Sequence, residues 1–194
     1  MRAYPSDRFG PAPHPRDRHR SENKGRRFFR WLGKTFLTLA LLIVLLSFLL
    51  VLPLRWVDPT TTAFMLQDNS GIHPLQLEWV DWPDIGDALP IAVVASEDQK
   101  FARHMGFDVK SIRDSVDEYA EGQSLRGAST ITQQVAKNLY LWPGRSFLRK
   151  GIEAYFAALL EAVLSKRRIL EIYLNIAEFG PGIYGAGAAS ASYF

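Results

Sequence analysis

The sequence predicts a mostly α-helical protein with one N-terminal transmembrane helix and little or no β-sheet. Three observations carry this prediction. Residues 36–54 contain no charged side chain, apolar residues recur at helical spacing from Ile91 onward, and strand-like alternation is confined to short stretches. With 194 residues, the chain has room for one domain and an anchor.

The N-terminal segment, residues 1–30, is rich in Pro, Arg, Ser and His and shows no apolar periodicity. Because it cannot bury enough surface to offset the entropy of ordering, we expect a disordered tail. Residues 1–54 hold ten Lys or Arg and three Asp or Glu, whereas the rest of the chain holds thirteen and seventeen. The positive charge therefore belongs to the tail, and the folded part is not predicted to bind nucleic acid.

The uncharged run at 36–54 is long enough to cross a bilayer, at about 28 Å for a helix. A cleaved signal peptide would have a shorter apolar core followed by small residues, and Pro53, Leu54, Arg55 and Trp56 offer no such site. Basic residues precede the run, so we expect the tail in the cytoplasm and the domain in the opposite compartment. We predict a single-pass anchor over 31–56 and an exterior domain over 57–194.

Turn signals crowd residues 55–90, so any strand there is short, and 60–66 is the best candidate. Helical spacing then predicts five helices, over 91–103, 108–121, 130–141, 146–165 and 167–177. The third has an inward stripe of Ile131, Val135 and Leu139. The fourth has a longer predicted buried stripe: Ile152, Tyr155, Phe156, Leu159, Leu160, Val163 and Leu164.

Glu97 and Asp98 follow the apolar run 91–95. A carboxylate beside apolar surroundings is partly desolvated, which suits it to accept a proton as a general base. A solvated helix end is the other reading of an isolated Glu-Asp pair. The chain has no cysteine and no His pair at zinc-site spacing, so we expect no thiolate site and no catalytic zinc.

Residues 127–138 combine hydroxyl, amide and ammonium groups where a helix begins. Thr130 with Gln133 fits a capping box, and Gly127 permits the turn before it. Free amide N–H groups at this helix start, with a hydroxyl and Lys137, would suit a phosphate-bearing ligand. A capped surface helix explains Thr130 and Gln133 equally well, but it does not call for Gln134 and Lys137 along one polar face.

A charged cluster opens the next predicted helix: Arg145, Arg149, Lys150 and Glu153. Taken alone, Arg149 and Glu153 at i, i+4 form an ordinary helix ion pair that contributes about 0.3–0.5 kcal/mol.

These residues resemble, in order, five motifs of the peptidoglycan glycosyltransferases, at 97–106, 127–138, 149–153, 166–175 and 184–194. The chain is most similar to the monofunctional biosynthetic type of Gram-negative bacteria, in glycosyltransferase family 51. The resemblance covers about residues 58–194 and implies a lysozyme-like fold. Because the chain ends inside the fifth motif, we expect a C-terminally truncated form with weaker activity.

The resemblance implies inverting polymerisation of lipid II with release of undecaprenyl pyrophosphate. Glu97 matches the catalytic base and Glu153 the second essential carboxylate. The implied substrate-binding residues are Ser129, Gln134, Lys137, Arg145 and Lys150. Mg²⁺ or Mn²⁺ commonly assists in the family, although no metal ligand is identified here. The implied partners are lipid II, the growing glycan chain and cell-wall synthesis or division proteins, at the inner membrane with a periplasmic catalytic domain.

Two alternatives stay open at this point. A lysozyme-like glycan-cleaving enzyme would use a catalytic glutamate but would have no diphosphate to neutralise, so it does not explain Gln134 with the cations at 137, 145 and 150. An inactive cell-wall scaffold, which the truncation would favour, predicts no use for Glu97.

Overall fold

The computed structural model describes residues 15–120, 129–144 and 146–194. It divides into two units, Met1–Ser47 and Phe48–Phe194. Helices dominate the described residues, so the predicted mostly α fold is confirmed.

The first helix, α1, spans Pro15–Val51 and is followed by a 3-10 helix over Leu52–Arg55. Arg26–Arg55 is long and apolar enough, by length and composition, to cross a membrane. The prediction of disorder is wrong for residues 15–30, which are helical. Extending an existing helix costs less than nucleating one, so the apolar run can propagate into polar residues before it. Residues 1–14 lie outside the described residues.

Among its described residues, the second unit contains six α-helices. They are α2 (Ala88–Glu97), α3 (Val109–Ala120), α4 (Ile131–Tyr140), α5 (Phe147–Val163), α6 (Lys166–Ile176) and α7 (Gly185–Tyr193). The predicted bounds agree within three residues except at 91–103, where α2 ends six residues early. Asp98 leaves the helical conformation there, with φ −159° and ψ 77°, and its backbone N–H bonds to Val94 O. Residues 99–105 form turns instead.

The core of the second unit centres on α4, which packs against α5 and α6. The predicted inward stripe is confirmed, because Ile131, Val135 and Leu139 are all buried. The predicted stripe of α5 is partly wrong: Tyr155 is 38% exposed, whereas Glu153 and Ala157 are buried. Ala157 faces the core, and Tyr155, two residues earlier, lies about 200° around the helix and therefore faces the surface.

A small sheet joins distant parts of the chain. Strand β1 (Gln76–Leu77) pairs in parallel with β3 (Ile183–Tyr184), and β3 pairs antiparallel with β2 (Glu178–Gly180). Gly185 follows β3 with φ +83°, and a Cβ there would lie 2.5 Å from Asn175 O, so only glycine fits.

The strand predicted over 60–66 is wrong. The segment instead contains turns and the start of a 3-10 helix at Met65–Gln67. Its backbone donates to the end of α4, with Ala63 N bonded to Leu139 O at 3.1 Å and Phe64 N bonded to Asn138 O at 3.2 Å. These bonds satisfy helix-end carbonyls, which is why the segment does not pair as a strand.

The fully buried Asn175 holds the segment around Val80 against α6. Its Oδ1 accepts from Val80 N at 2.7 Å, and its Nδ2 donates to Val80 O at 2.9 Å and Glu171 O at 3.0 Å. We expect Asn175→Ala to lower the free energy of unfolding by about 2–4 kcal/mol, because three backbone groups lose a hydrogen bond to this side chain. Urea unfolding of the detergent-solubilised chain measures this. Exposed Asn69→Ala is the control, and equal losses in both variants would contradict the prediction.

Candidate active site

Glu97 is the last residue of α2 and its side chain is exposed. Its Oε2 accepts a hydrogen bond from Gln134 Nε2 at 2.9 Å, and Gln134 Oε1 in turn accepts from the Tyr173 hydroxyl at 3.4 Å. The expectation that Glu97 is partly desolvated is therefore wrong. The carboxylate is held by a neutral amide rather than by a cation, which leaves it accessible to a ligand.

Asp98 is the carboxylate that the apolar surroundings bury. It accepts from Ile131 N at 3.1 Å and contacts His104 Nε2 at 2.8 and 2.9 Å. An anion at the start of α4 is favoured by the helix dipole. Asp98 therefore ties the end of α2 to the start of α4, which brings Glu97 beside Gln134, one turn further along α4.

The capping box at Thr130 is present, but the phosphate site predicted at this helix start is wrong. Gln133 N donates to Thr130 Oγ1 at 3.3 Å, Thr130 N donates to Gln133 Oε1 at 3.1 Å, and Asp98 takes the Ile131 N–H. Thr130 is 2% exposed, and its hydroxyl donates to Gly106 O at 2.7 Å. Protein groups thus engage the Ile131 and Gln133 N–H groups, while Gln134 and Lys137 of the predicted polar face line a cavity.

Lys137 is half-buried on α4, with its ammonium 4.8 Å from the centre of the Phe64 ring. Burial lowers the pKa of this ammonium. Glu153 and Glu178 oppose that effect on the pKa, whereas Arg149 and Lys150 add to it. Lys137 is thus close enough to the charged cluster of α5 to respond to its charges, and it lies one turn after Gln134, which binds Glu97.

That cluster is organised by Glu153, which is 2% exposed. Its Oε2 accepts from Arg149 Nη1 at 2.9 Å, and its Oε1 accepts from Lys150 Nζ. Lys150 Nζ also donates to Ser129 Oγ at 3.1 Å. The arrangement differs from an ordinary surface ion pair, because a buried carboxylate orders two cations. Arg145, the remaining predicted contact, lies outside the described residues.

A cavity beside Lys137 adds residues that sequence reasoning missed. Lys137 and Gln134 line it together with Phe64, Tyr173, Glu178 and Tyr184. Burial and the charge of Glu97 raise the pKa of Tyr173 to about 12, so its phenol stays neutral at physiological pH. Tyr173 and Tyr184 lie within the fourth and fifth motifs, which is a signal that could have found them. Glu178 lies between the motifs and carries no such signal.

The described residues contain no group of three His, Asp or Glu side chains that could bind a divalent cation. Two carboxylates of the site are already engaged, since Glu153 holds two cations and Glu97 accepts from an amide, and Glu178 is a lone carboxylate in the cavity lining. The described residues therefore do not fit a protein-held metal ion.

The geometry can support proton abstraction by a carboxylate that lies near a group of cations. Glu97 supplies an accessible carboxylate, Gln134 orients it, and Lys137 stands one turn further along the same helix. Lys150 and Arg149 add positive charge that Glu153 holds in place. Such a site can accept a proton from one reactant while it stabilises negative charge that develops on another.

The chain matches the transglycosylase family over residues 66–194. It is 56% identical over 140 residues to the biosynthetic peptidoglycan transglycosylase of Shewanella frigidimarina (strain NCIMB 400), which covers 72% of this chain and 61% of the relative. It is 52% identical over 154 residues to the protein of the same name from Pseudomonas entomophila (strain L48), which covers 76% and 65%. A Marinomonas relative of that name is 55% identical over 151 residues, which covers 77% and 66%. The chain thus spans about two thirds or less of the length of these relatives.

Proposed function

Because this chain belongs to the transglycosylase family, we propose that it is a peptidoglycan glycosyltransferase that polymerises lipid II into glycan strands. The lysozyme-like, mostly α-helical fold that the motifs imply is confirmed. The substrate, the leaving group and the roles of individual residues are our proposals.

One observation carries the proposal: an exposed carboxylate, Glu97, is hydrogen-bonded to Gln134, which lines the same cavity as Lys137. Arg149 and Lys150, on α5, act on the charge of Lys137. A glycan-cleaving enzyme has no diphosphate that would call for these three cations, whereas transfer from a lipid diphosphate needs them.

In the proposed step, Glu97 removes the proton from the 4-hydroxyl of the acceptor sugar. The resulting oxygen attacks C1 of the donor sugar, the new glycosidic bond forms, and the bond from C1 to the phosphate oxygen breaks. Undecaprenyl pyrophosphate departs with the bonding electron pair. Direct attack without a covalent enzyme intermediate inverts the configuration at C1, as in single-displacement glycosidases.

The cations are proposed to stabilise the departing diphosphate. Lys137 and Lys150 would supply most of this stabilisation, with Ser129 beside Lys150 and Arg145 as a further contact. Glu153 would act by positioning, since both of its carboxylate oxygens are already engaged by Arg149 and Lys150. Preorganised positive charge of this kind needs no rearrangement during the reaction.

The proposed location is the inner membrane, with the N-terminus in the cytoplasm and the catalytic domain in the periplasm. The basic residues before the apolar run support this orientation. An anchor would confine the enzyme to the plane that holds its lipid-linked substrate, which raises the effective substrate concentration. We also propose cell-wall synthesis or division proteins as partners, as the family resemblance implies.

The direct test incubates the detergent-solubilised full chain with labelled lipid II, in parallel with Mg²⁺, with Mn²⁺ and with EDTA. We expect a polymer that lysozyme digests. The three conditions decide whether a divalent cation assists, as the resemblance implies. Unchanged lipid II in all three conditions, with helical circular dichroism retained, would favour the scaffold alternative. Cleavage of preformed glycan without polymer synthesis would favour the glycan-cleaving alternative.

A further inference from the structure

The cavity beside Lys137 has a mixed charge that diphosphate binding alone does not explain. Phe64, Tyr173 and Tyr184 are its aromatic lining residues, Gln134 supplies an amide, and the lining also includes Lys137 and the exposed Glu178. A carboxylate weakens the attraction of a site for an anion, so its presence here calls for a ligand that is not purely anionic.

The fold fixes the position of Glu178. Helix α6 ends at Ile176, and Ala177 is extended, with φ −67° and ψ 141°. Glu178 then begins β2, where its Cα is paired with that of Tyr184, and Gly185 N donates to Ala177 O at 2.8 Å. The backbone position of Glu178 is thus fixed by the pairing of β2 with β3 and by the hydrogen bond at the preceding residue.

The two charged ends in the cavity are available to a ligand. Among the residues that the structure describes, neither the Lys137 ammonium nor the Glu178 carboxylate has a hydrogen-bond partner. The Lys137 ammonium lies over the face of the Phe64 ring, 4.8 Å from its centre. The two side chains are close enough for the charge of Glu178 to oppose the effect of burial on the pKa of Lys137. A ligand that bridges them would carry an anionic group at one end and an O–H or N–H donor at the other.

We propose that Glu178 is a specificity-determining residue that accepts a hydrogen bond from a hydroxyl or amide N–H of the sugar whose phosphate Lys137 holds. The inference rests on the proposed function and adds to it a preference for one kind of ligand. The cavity would favour a sugar diphosphate over an anion without a sugar, because only the sugar supplies the donor that Glu178 requires. Inorganic pyrophosphate, which carries the charge but not the sugar, is the informative probe.

The test compares the full-length wild type with Glu178→Gln in two measurements. For lipid II polymerisation, we expect KM to rise about 5–10-fold with kcat within about twofold, since a charged acceptor becomes a neutral one. For inorganic pyrophosphate, measured by isothermal titration, we expect binding to tighten by about 3–10-fold, because a nearby like charge is removed. A general loss of structure cannot weaken one ligand and strengthen the other.

Glu78→Gln, an exposed carboxylate change outside the cavity, is the matched control and should leave both constants at wild-type values. Wild-type KM and wild-type pyrophosphate affinity in Glu178→Gln would overturn the inference while leaving the proposed function intact. A parallel loss of both would also overturn it. If the wild type makes no polymer, the proposed function fails separately, and an unchanged pyrophosphate affinity in the variant would then refute the role of the Glu178 charge.

Discussion

Replacing Glu97 with glutamine should lower kcat for lipid II polymerisation by about 10²–10⁴-fold, the usual contribution of a general base. KM should change little, because the loss concerns a proton transfer in the transition state rather than ground-state binding. The glutamine carbonyl can still accept the hydrogen bond from Gln134 Nε2, so the variant keeps the local contact and removes only the proton acceptor.

The fold should tolerate this change, because Glu97 is exposed at the end of α2. Unfolding temperature and helical circular dichroism should match those of the wild type, and Glu78→Gln serves as the control for loss of one exposed carboxylate. Initial rates of glycan synthesis from labelled lipid II provide the measurement. Turnover above one tenth of the wild-type value would remove Glu97 from its proposed role.

Glu97 and Asp98 show where sequence reasoning about the site ends. The two carboxylates are adjacent and share the apolar run before them, so local sequence cannot decide which one is buried. That choice is made by α4, more than thirty residues away, whose first N–H group binds Asp98, and by His104 beside it. The exposed position of Glu97 is a consequence of the buried position of its neighbour.

The helices were predictable because their signal is local: apolar residues recur at a 3.6-residue period within each segment. The strands were not, since β1 and β3 are two-residue elements whose partners lie more than one hundred residues apart in the chain. Glu153 also escaped the predicted stripe of α5, because a charged residue is normally assigned to the solvent side. It is buried because Arg149 and Lys150 neutralise it.

The cavity beside Lys137 also contains a residue whose position could not be predicted from local sequence. Lys137 and Gln134 were predicted as ligand contacts from their shared helix face, and the structure places both at one cavity. Glu178 comes from a different element and reaches that cavity only because β2 begins directly after α6. Residues contributed by such a junction have no periodic or motif signal, so only the fold reveals them.

Lys137→Met should lower kcat/KM for lipid II by about 10²–10³-fold, the loss seen when one preorganised charge or donor is removed from a transition state. Methionine keeps an apolar stem against Phe64 but loses the ammonium. Glu153 retains both of its cations, so no buried carboxylate is left unpaired. Arg113→Met, an exposed cation on α3, is the control, and we expect a change of less than about twofold because surface charges away from the site contribute little.

The pH dependence of the same residue gives a sharper test. Burial lowers the pKa of Lys137 below its ordinary 10.5, so the free enzyme loses this positive charge as pH rises through that lowered value. The kcat/KM profile should therefore fall on its alkaline side at a pH below 10.5. In Lys137→Arg the guanidinium stays charged, so this decline should move to higher pH even if the maximum activity is reduced. If the alkaline decline is identical in the wild type and Lys137→Arg, another group titrates. In the comparison at neutral pH, similar losses of kcat/KM in Lys137→Met and Arg113→Met would contradict the proposed contact between Lys137 and the leaving diphosphate.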